Sequence, residues 1–376
     1  MNTKPQIIAF YLPQYHPFKE NDEWWGKGFT EWTNVGKAKP LFKGHNQPRV
    51  PTELGYYDLR LPIIREQQAE LAREAGVTAF CYWHYWFGNG KRLIPEVFDE
   101  VLYTGRPDFP FCLGWANHSW YAKNWNADGT TTERLLMEQT YPGIEDEKMH
   151  FAYLLKAFKD SRYLKIDGRP ILYIFAPQDL PKEYLSNFRE WAKAEGFPGL
   201  YVVANISKPS YQEEQAMTDG YDAISHQRLA SDIHEGNTTR DKVIRQLQIR
   251  WKKVKGILFH RPPFMVDYSK CYHSLIRECD KKENVIPVLL PQWDHTPRSG
   301  WNGSLLVNAT PSIFYKHINE ALAAVREKTH PILFLKSWNE WGEGNMMEPD
   351  ITYGRGFIEA LRKALDDYSE FTYNIQ

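Results

Sequence analysis

Two glutamates three residues apart, Glu340 and Glu343, sit in the run Ser337-Trp338-Asn339-Glu340-Trp341-Gly342-Glu343-Gly344. Cleaving or transferring a glycosidic bond takes two carboxyl groups, one to protonate the departing oxygen and one to assist at the sugar. A spacing of three places both side chains on one side of a helical turn, and Gly342 and Gly344 let the backbone come close to a ligand. A bare Glu-x-x-Glu is common on surface helices. This one follows the apolar run Pro331–Leu335 and is interleaved with Trp338, Asn339 and Trp341, so it is read as a catalytic pair. Glu31, within Phe29-Thr30-Glu31-Trp32, is a third candidate carboxylate.

The elements that must position this pair follow from the patterning. Apolar runs at Ile7–Leu12, Val77–Trp86, Phe109–Trp115, Pro170–Phe175, Leu200–Ile206, Tyr221–Ser225, Val285–Leu290 and Pro331–Leu335 alternate with amphipathic segments. Those are Leu61–Glu74, Leu93–Leu102, Glu145–Lys159, Lys182–Glu195, Ser312–Glu327 and Phe357–Asp367. Runs that are apolar throughout belong to strands buried on both faces, hence to a parallel sheet. Gly76 and Gly196 stand where helices should stop. Eight such units predict an α/β fold, a single (β/α)8 TIM barrel over residues 1–376, rather than a doubly wound sheet. Long loops are expected after strands 1, 3 and 6. Pro13–Asp58, rich in Trp, Gly and Pro, reads as an ordered functional loop, and Trp120–Thr132 as another. Leu229–Asn284, with Lys252, Lys253 and Lys255, reads as solvated helical excursions.

In such a barrel the site forms where the strands end. The residues found there are Tyr11, Gln14 and His16 after strand one, and Trp83, His84 and Trp86 after strand two. Asn117 and Trp120 follow strand three, Asn205 strand five, His226 strand six, and Gln292, Trp293 and Asp294 strand seven. Asn339 and Trp341 flank the glutamates, while Trp25, Glu31 and Trp32 come from the first loop. Flat apolar faces beside planar hydrogen-bonding groups suit pyranose rings, which stack through C–H faces and bind through hydroxyls. A single strand-end aromatic more often closes the barrel mouth. The collective pattern predicts an oligo- or polysaccharide substrate.

Composition supports this reading. The chain holds 14 Trp, 22 Tyr and 20 Phe, 15% aromatic, and of the tryptophans only Trp191 and Trp251 fall in clearly helical patterning. Lys plus Arg (46) against Asp plus Glu (47) leaves −1, so no global field favours nucleic acid. No stretch approaches the roughly 18 apolar residues of a membrane span, and Met1–Gln6 opens without a signal-peptide core. A cytoplasmic location is therefore expected. Cys81, Cys112, Cys271 and Cys279 lack metal-type spacing and are expected as free thiols, mostly buried.

Several segments carry a resemblance. Phe10-Tyr11-Leu12-Pro13-Gln14-Tyr15-His16, Gly28-Phe29-Thr30-Glu31-Trp32-Thr33-Asn34-Val35, Cys81-Tyr82-Trp83-His84-Tyr85-Trp86-Phe87 and Asn339-Glu340-Trp341-Gly342-Glu343-Gly344-Asn345, followed by Glu348-Pro349-Asp350, look like the WbsX-type proteins. These are described as glycosyltransferases of lipopolysaccharide or O-antigen biosynthesis and are similar to glycoside hydrolase family 99, (β/α)8 endo-α-mannosidases. The resemblance runs from about residue 6 to 365. It implies a retaining mechanism without cofactor or metal. Glu340 would act as base on the sugar 2-hydroxyl, giving a 1,2-anhydro intermediate, and Glu343 as acid and then base at the leaving and accepting oxygens. The segment His118-Ser119-Trp120-Tyr121 departs from the family pattern and leaves the sugar open.

Three rivals stand beside this. A sugar-nucleotide transferase often holds its diphosphate with Asp-x-Asp, and the chain has no Asp-x-Asp, Walker loop or Gly-x-Gly-x-x-Gly. A metal-dependent hydrolase would use His16, His84, His118, His226 and His295, yet no His-Glu-x-x-His occurs. A non-catalytic carbohydrate-binding barrel would have no use for the glutamate pair.

Overall fold

The structure, a computed structural model, describes residues 4–125, 131–207, 211–228 and 264–373, with Trp251, Val254 and Pro262. Eight parallel strands form its centre: β1 Gln6–Tyr11, β2 Ala79–His84, β3 Phe111–Trp115, β4 Arg169–Ile174, β5 Tyr201–Asn205, β6 Ala223–Ser225, β7 in two pieces (Val285–Ile286 and Val288–Leu289), and β8 Ile332–Leu335. The ladder runs β6-β5-β4-β3-β2-β1-β8, and β7 closes the ring. Its first piece pairs with β6 through Val285↔Ile224 and its second with β8 through Val288↔Phe334. Pro287, between the pieces, has no N–H to give to a neighbour. Its carbonyl still accepts from Phe334 N at 3.0 Å, so the barrel stays shut across the break.

Helices Pro62–Ala75, Glu96–Thr104, Ile144–Phe158, Lys182–Ala194, Glu213–Thr218, Pro311–Val325 and Gly356–Tyr373 follow strands β1, β2, β3, β4, β5, β7 and β8. This is the TIM-barrel architecture that the alternation of buried runs and amphipathic segments predicts. All four cysteines are free, Cys279 being the least buried. Among the described residues no helix is long and apolar enough to cross a membrane.

Three local expectations are corrected. Trp120–Thr132 is not a loop, because Trp120–Trp125 and Thr131–Met137 form an antiparallel hairpin. The first loop contains short helices Lys19–Trp25 and Glu31–Lys37, so Trp24, Trp25 and Trp32 are helical as well. Neither helix completes more than about two turns, too few for an apolar period to show. Within 229–284, Phe264–Asp267 pairs in parallel with Ser304–Val307. Lys252, Lys253 and Lys255 lie outside the described residues.

Strand parity decides which side chains can reach the mouth. Phe10 of β1 stacks on Trp83 of β2 at 4.9 Å and Phe334 of β8 at 5.0 Å, and meets the edge of Tyr173 of β4 at 4.9 Å. These four fill the barrel interior. Their neighbours point outward: Tyr11 donates to Gln68 of helix Pro62–Ala75 at 2.6 Å, and His84 lies 2.9 Å from His150 of helix Ile144–Phe158.

Histidines in this outer layer are neutral. Burial lowers His84 from 6.5 to about 3 and His317, which accepts from Leu290 N, from 6.5 to about 4. An unfolded chain takes up these protons near 6.5 while the folded chain refuses them, so acid favours unfolding. Their contribution is whole above that pH and is lost as pH falls below it. Urea unfolding followed from pH 7 to 5 should show stability dropping, on the order of 2 kcal/mol per histidine at the acid end. A His317→Gln variant should lose less over the same range; an equal slope would contradict the assignment.

Candidate active site

At the exit of β8 the chain turns back sharply. Asn339–Glu340 pairs antiparallel with Asn345–Met346, and the tight turn Trp341–Glu343 joins them. Gly344 closes it at φ 54, where an added Cβ would stand 2.7 Å from the Asp294 Cβ. The turn is fastened from behind. Trp341 N donates to Tyr15 Oη at 2.9 Å, and Trp341 Nε1 to Glu348 Oε2 at 2.6 Å. Glu348 is buried and also accepts from Tyr57 Oη at 2.8 Å and Gln68 Nε2 at 2.6 Å. Burial pushes its pKa up to about 7 against those donors.

Three carboxyl groups and two cations meet in front of this turn. Arg298, on the helical turn Thr296–Ser299 beyond β7, donates through Nη1 to Glu343 Oε1, and its Nε and Nη2 lie 3.1 Å from Glu31 Oε2. His295 Nε2 lies 3.8 Å from Glu343. Lys336, just past β8, donates to Gln227 Oε1 at 3.0 Å and sits 5.1 Å over the Trp293 ring; Gln227 in turn donates to Tyr173 Oη at 2.9 Å. Glu340 accepts from Ser337 Oγ at 3.0 Å.

The surroundings of the two glutamates push their proton affinities in opposite directions. Burial, then the neighbouring Glu343 charge, raises Glu340 to about 7, against Lys336 and Arg298. Burial also acts to raise Glu343, but Arg298, Lys336 and His295 together hold it below the usual carboxylate range. Arg298 and Lys336 bring two cations against the three carboxyl groups.

Several other residues expected to bind substrate make hydrogen bonds and ring contacts within the scaffold. Asn339 and Asn117 act as false peptides that carry the sheet past its strands. Leu12 N donates to Asn339 Oδ1 at 2.8 Å and Asn339 Nδ2 returns to Leu12 O at 3.0 Å. Ala176 N donates to Asn117 Oδ1 at 2.7 Å and Asn117 Nδ2 returns to Ala176 O at 2.9 Å. Tyr11 and His84 face the helix layer by parity, and Trp86 follows them, its Nε1 donating to Asp146 at 3.1 Å and its ring stacked on His150 at 4.7 Å. Asp294 is a buried anchor that accepts from Gln47 at 2.7 Å and Thr296 Oγ1 at 2.6 Å, with His45 Nε2 at 2.8 Å. Trp341 is fully buried beneath the turn.

The rest surround the mouth more loosely. Trp83 is half-buried on the barrel floor, and Gln14 donates to Tyr85 Oη at 3.0 Å. Asn205 Oδ1 and Gln292 Oε1 are buried acceptors without a partner; the amide nitrogens donate to Phe175 O and Met346 O. Trp293 donates to Ser304 Oγ, and Trp32 packs 5.6 Å from Trp341. Trp120 meets Trp24 and Tyr85 edge-on, at 6.0 and 5.1 Å. Trp25 is 45% exposed beside Phe29. His16 is buried against Pro17 O, and His226 is half-buried, lowered to about 4 by burial and Arg228. The strand-end histidines do not converge, and among the described residues no cluster of His, Cys, Asp and Glu could hold a metal.

Sequence reasoning gave no role to Arg298, Lys336, Tyr85 or Glu348, although Tyr85 and Glu348 stand within quoted motifs. Lys336 carried a usable signal, a cation directly after a buried strand and one residue before the motif. Arg298 carried none, since nothing in its spacing connects it to Glu31 or Glu343.

The sequence matches the family described as Glycosyltransferase WbsX over residues 7–361. Two proteins of Xanthomonas campestris pv. campestris (strains B100 and ATCC 33913), both named Uncharacterized protein WxcX, are 31% identical over 366 and 375 residues. Each alignment covers 96% of this chain and 49% of the relative, so the chain spans about half their length. Among solved structures, the GH99 endo-alpha-mannosidase from Bacteroides thetaiotaomicron in complex with BIS-TRIS-Propane superposes with a TM-score of 0.55 at 16% identity, covering 98% of both chains. A glycoside hydrolase-like protein superposes at 0.58 with 14% identity, covering 97% of this chain and 94% of that one. Likeness at this identity establishes the barrel fold.

The Glu348 arrangement yields a stability test. Glu348→Ala strands the Trp341, Tyr57 and Gln68 donors in a buried space, and each unmet group costs about 1–3 kcal/mol. Urea unfolding should register a loss of several kcal/mol for Glu348→Ala and a smaller one for Glu348→Gln, which keeps one acceptor oxygen. Near-wild-type stability of both would remove the role given to this carboxyl.

Proposed function

Because the chain belongs to the WbsX glycosyltransferase family, a family of carbohydrate-active enzymes, we propose that it acts on glycosidic bonds with Glu340 and Glu343. The substrate is an oligo- or polysaccharide, and the reaction retains configuration at interior bonds of an α-linked bacterial glycan such as an O-antigen or mannan. One observation carries the reading: two carboxyls three residues apart stand at the exit of β8 in unlike surroundings, Glu343 gripped by Arg298 and Glu340 buried and accepting from Ser337 Oγ, a difference that raises Glu340 to about 7 and lowers Glu343. Such a split is what acid–base work on one bond requires.

In this reading Glu340 is the acid and Glu343 the base. Glu340 holds a proton and delivers it to the departing oxygen as the C1–O bond breaks. The Glu343 carboxylate takes the proton of the sugar 2-hydroxyl, whose oxygen closes on C1. An acceptor hydroxyl then opens the three-membered ring at C1, giving its proton to Glu340, while Glu343 returns its proton to O2. Two inversions leave the configuration retained. This order is the reverse of the one the resemblance implies, and the contact between Arg298 and Glu343 supports it. Water as acceptor makes a hydrolase and a glycan hydroxyl a transferase, the second reading favoured by the family's own description.

Aryl glycosides of one oligosaccharide, differing only in leaving group, test the roles. Glu340→Gln should lose roughly 10²–10⁴-fold in kcat/KM with a poor leaving group and recover with an activated one. Glu343→Gln should be impaired on both. The opposite pattern would exchange the roles, and wild-type turnover in both variants would sink the proposal.

A further inference from the structure

Arg298 and Glu31 have no part in the proton transfers just described, yet they form the most constrained contact in the site. A guanidinium is a flat fork with two usable edges, and Arg298 uses both. Nη1 engages Glu343, while Nε and Nη2 both lie 3.1 Å from a single oxygen of Glu31. Glu31 also accepts from Asn34 Nδ2 at 3.4 Å, and its side chain is 9% exposed. That leaves the carboxylate little surface for a sugar hydroxyl.

The glycine between the two glutamates is fitted to this contact. A Cβ at Gly342 would stand 2.2 Å from Glu31 Oε2 and 3.2 Å from Arg298 Nε. Any side chain there would expel the Glu31 carboxylate. The partners are also held by contacts other than their own. Glu31 opens helix Glu31–Lys37, capped by Thr30, whose side chain accepts from Trp32 N at 3.2 Å. Arg298 follows Asp294, which His45 and Gln47 of the same first loop hold. First loop and β7 exit are therefore tied twice, four residues apart.

We propose that Arg298 is a positioning residue for the reacting pair, and that Glu31 is its anchor rather than a ligand for sugar. Pinned on Glu31 through the gap at Gly342, the guanidinium fixes the direction of the Glu343 carboxylate and holds a positive charge against it. Among the described residues, these groups face the pair. Glu343 meets Arg298, Lys336, His295 and Glu340; Glu340 meets Glu343, Lys336, Arg298, Ser337 and Tyr85. Arg298 is the one cation among them that touches both Glu343 and Glu31. The assignment rests on the reading of Glu340 and Glu343 as the reacting pair.

The first test needs no substrate. In the full chain labelled with 13C at glutamate side-chain carboxyls, NMR signals of Glu340 and Glu343 are assigned with Glu340→Gln and Glu343→Gln and followed against pH. Wild type should show Glu340 titrating near neutrality and Glu343 staying ionised well below it. Arg298→Gln should raise the Glu343 midpoint by about one pH unit or more, and Arg298→Lys, which keeps the cation, should restore most of it. A Glu343 midpoint unmoved by Arg298→Gln in protein that still folds would overturn the proposal. A second arm uses the aryl glycosides: Glu31→Gln should lower kcat with KM nearly unchanged. A raised KM with kcat intact would make Glu31 a sugar ligand and overturn the anchor role. If wild type turns over no glycan, the functional reading fails while the titration still decides what Arg298 does.

Discussion

Burying three carboxyl groups within reach of one another is the constraint that organises this protein. Each ion taken from water loses several kcal/mol of solvation even after relaxation, and like charges add repulsion. The cost is met by cations brought from separate parts of the chain. Arg298 arrives from the exit of β7 and Lys336 from the exit of β8, while Glu31 comes from the first loop, far away in sequence. A barrel is suited to this, since every strand delivers its following loop to one rim. Closure across Pro287 therefore bears on chemistry as well as stability, because it fixes where β7 releases the segment that carries Arg298.

The rim is stiffened by side chains that imitate backbone. Asn117 and Asn339 each exchange a donor and an acceptor with one residue of a neighbouring strand's continuation, Ala176 and Leu12. The β3–β4 and β8–β1 ladders thus extend one rung beyond the regular strands. Both amides are fully buried, so replacing them by apolar groups of like size would leave peptide groups unpaired at the base of the loops that carry the site. The Glu348 cluster does the same work under the turn Trp341–Glu343 with a carboxyl group, which can accept from Trp341, Tyr57 and Gln68 at once.

The fold was legible because buried parallel strands leave long apolar runs, and the glutamate motif stood out because its neighbours were so unlike a surface helix. The orientation of strand-end residues was not. Trp83 and His84 are adjacent in sequence and equally plausible as ligands, yet Trp83 faces the barrel floor and His84 the helix layer. An apolar run carries no mark of parity when both faces are buried, so reading several residues from one strand end inevitably mixed the two sides. Asn339 and Asp294 make a second point: a polar residue at a rim can serve the scaffold as readily as a substrate, and only the partner's position tells which. Arg298 was invisible because its meaning lies wholly in contacts across the fold.

On the proposed reaction, the charge pattern has a further consequence. Before reaction the negative charge is on Glu343; after both protons have moved, Glu343 is neutral and Glu340 carries the charge. The total does not change, so a site balanced for the resting state stays balanced through the step, and only the location of one charge shifts. Arg298 is bound to the carboxylate that starts charged. Lys336 acts on both glutamates and, among the described residues, has no carboxylate within 4.0 Å. Held by Gln227 and through it by Tyr173 on the barrel floor, it stands ready for the charge that arrives on Glu340. An uncharged, hydroxyl-rich substrate disturbs this balance least, since it adds no ion to a space whose charges already cancel.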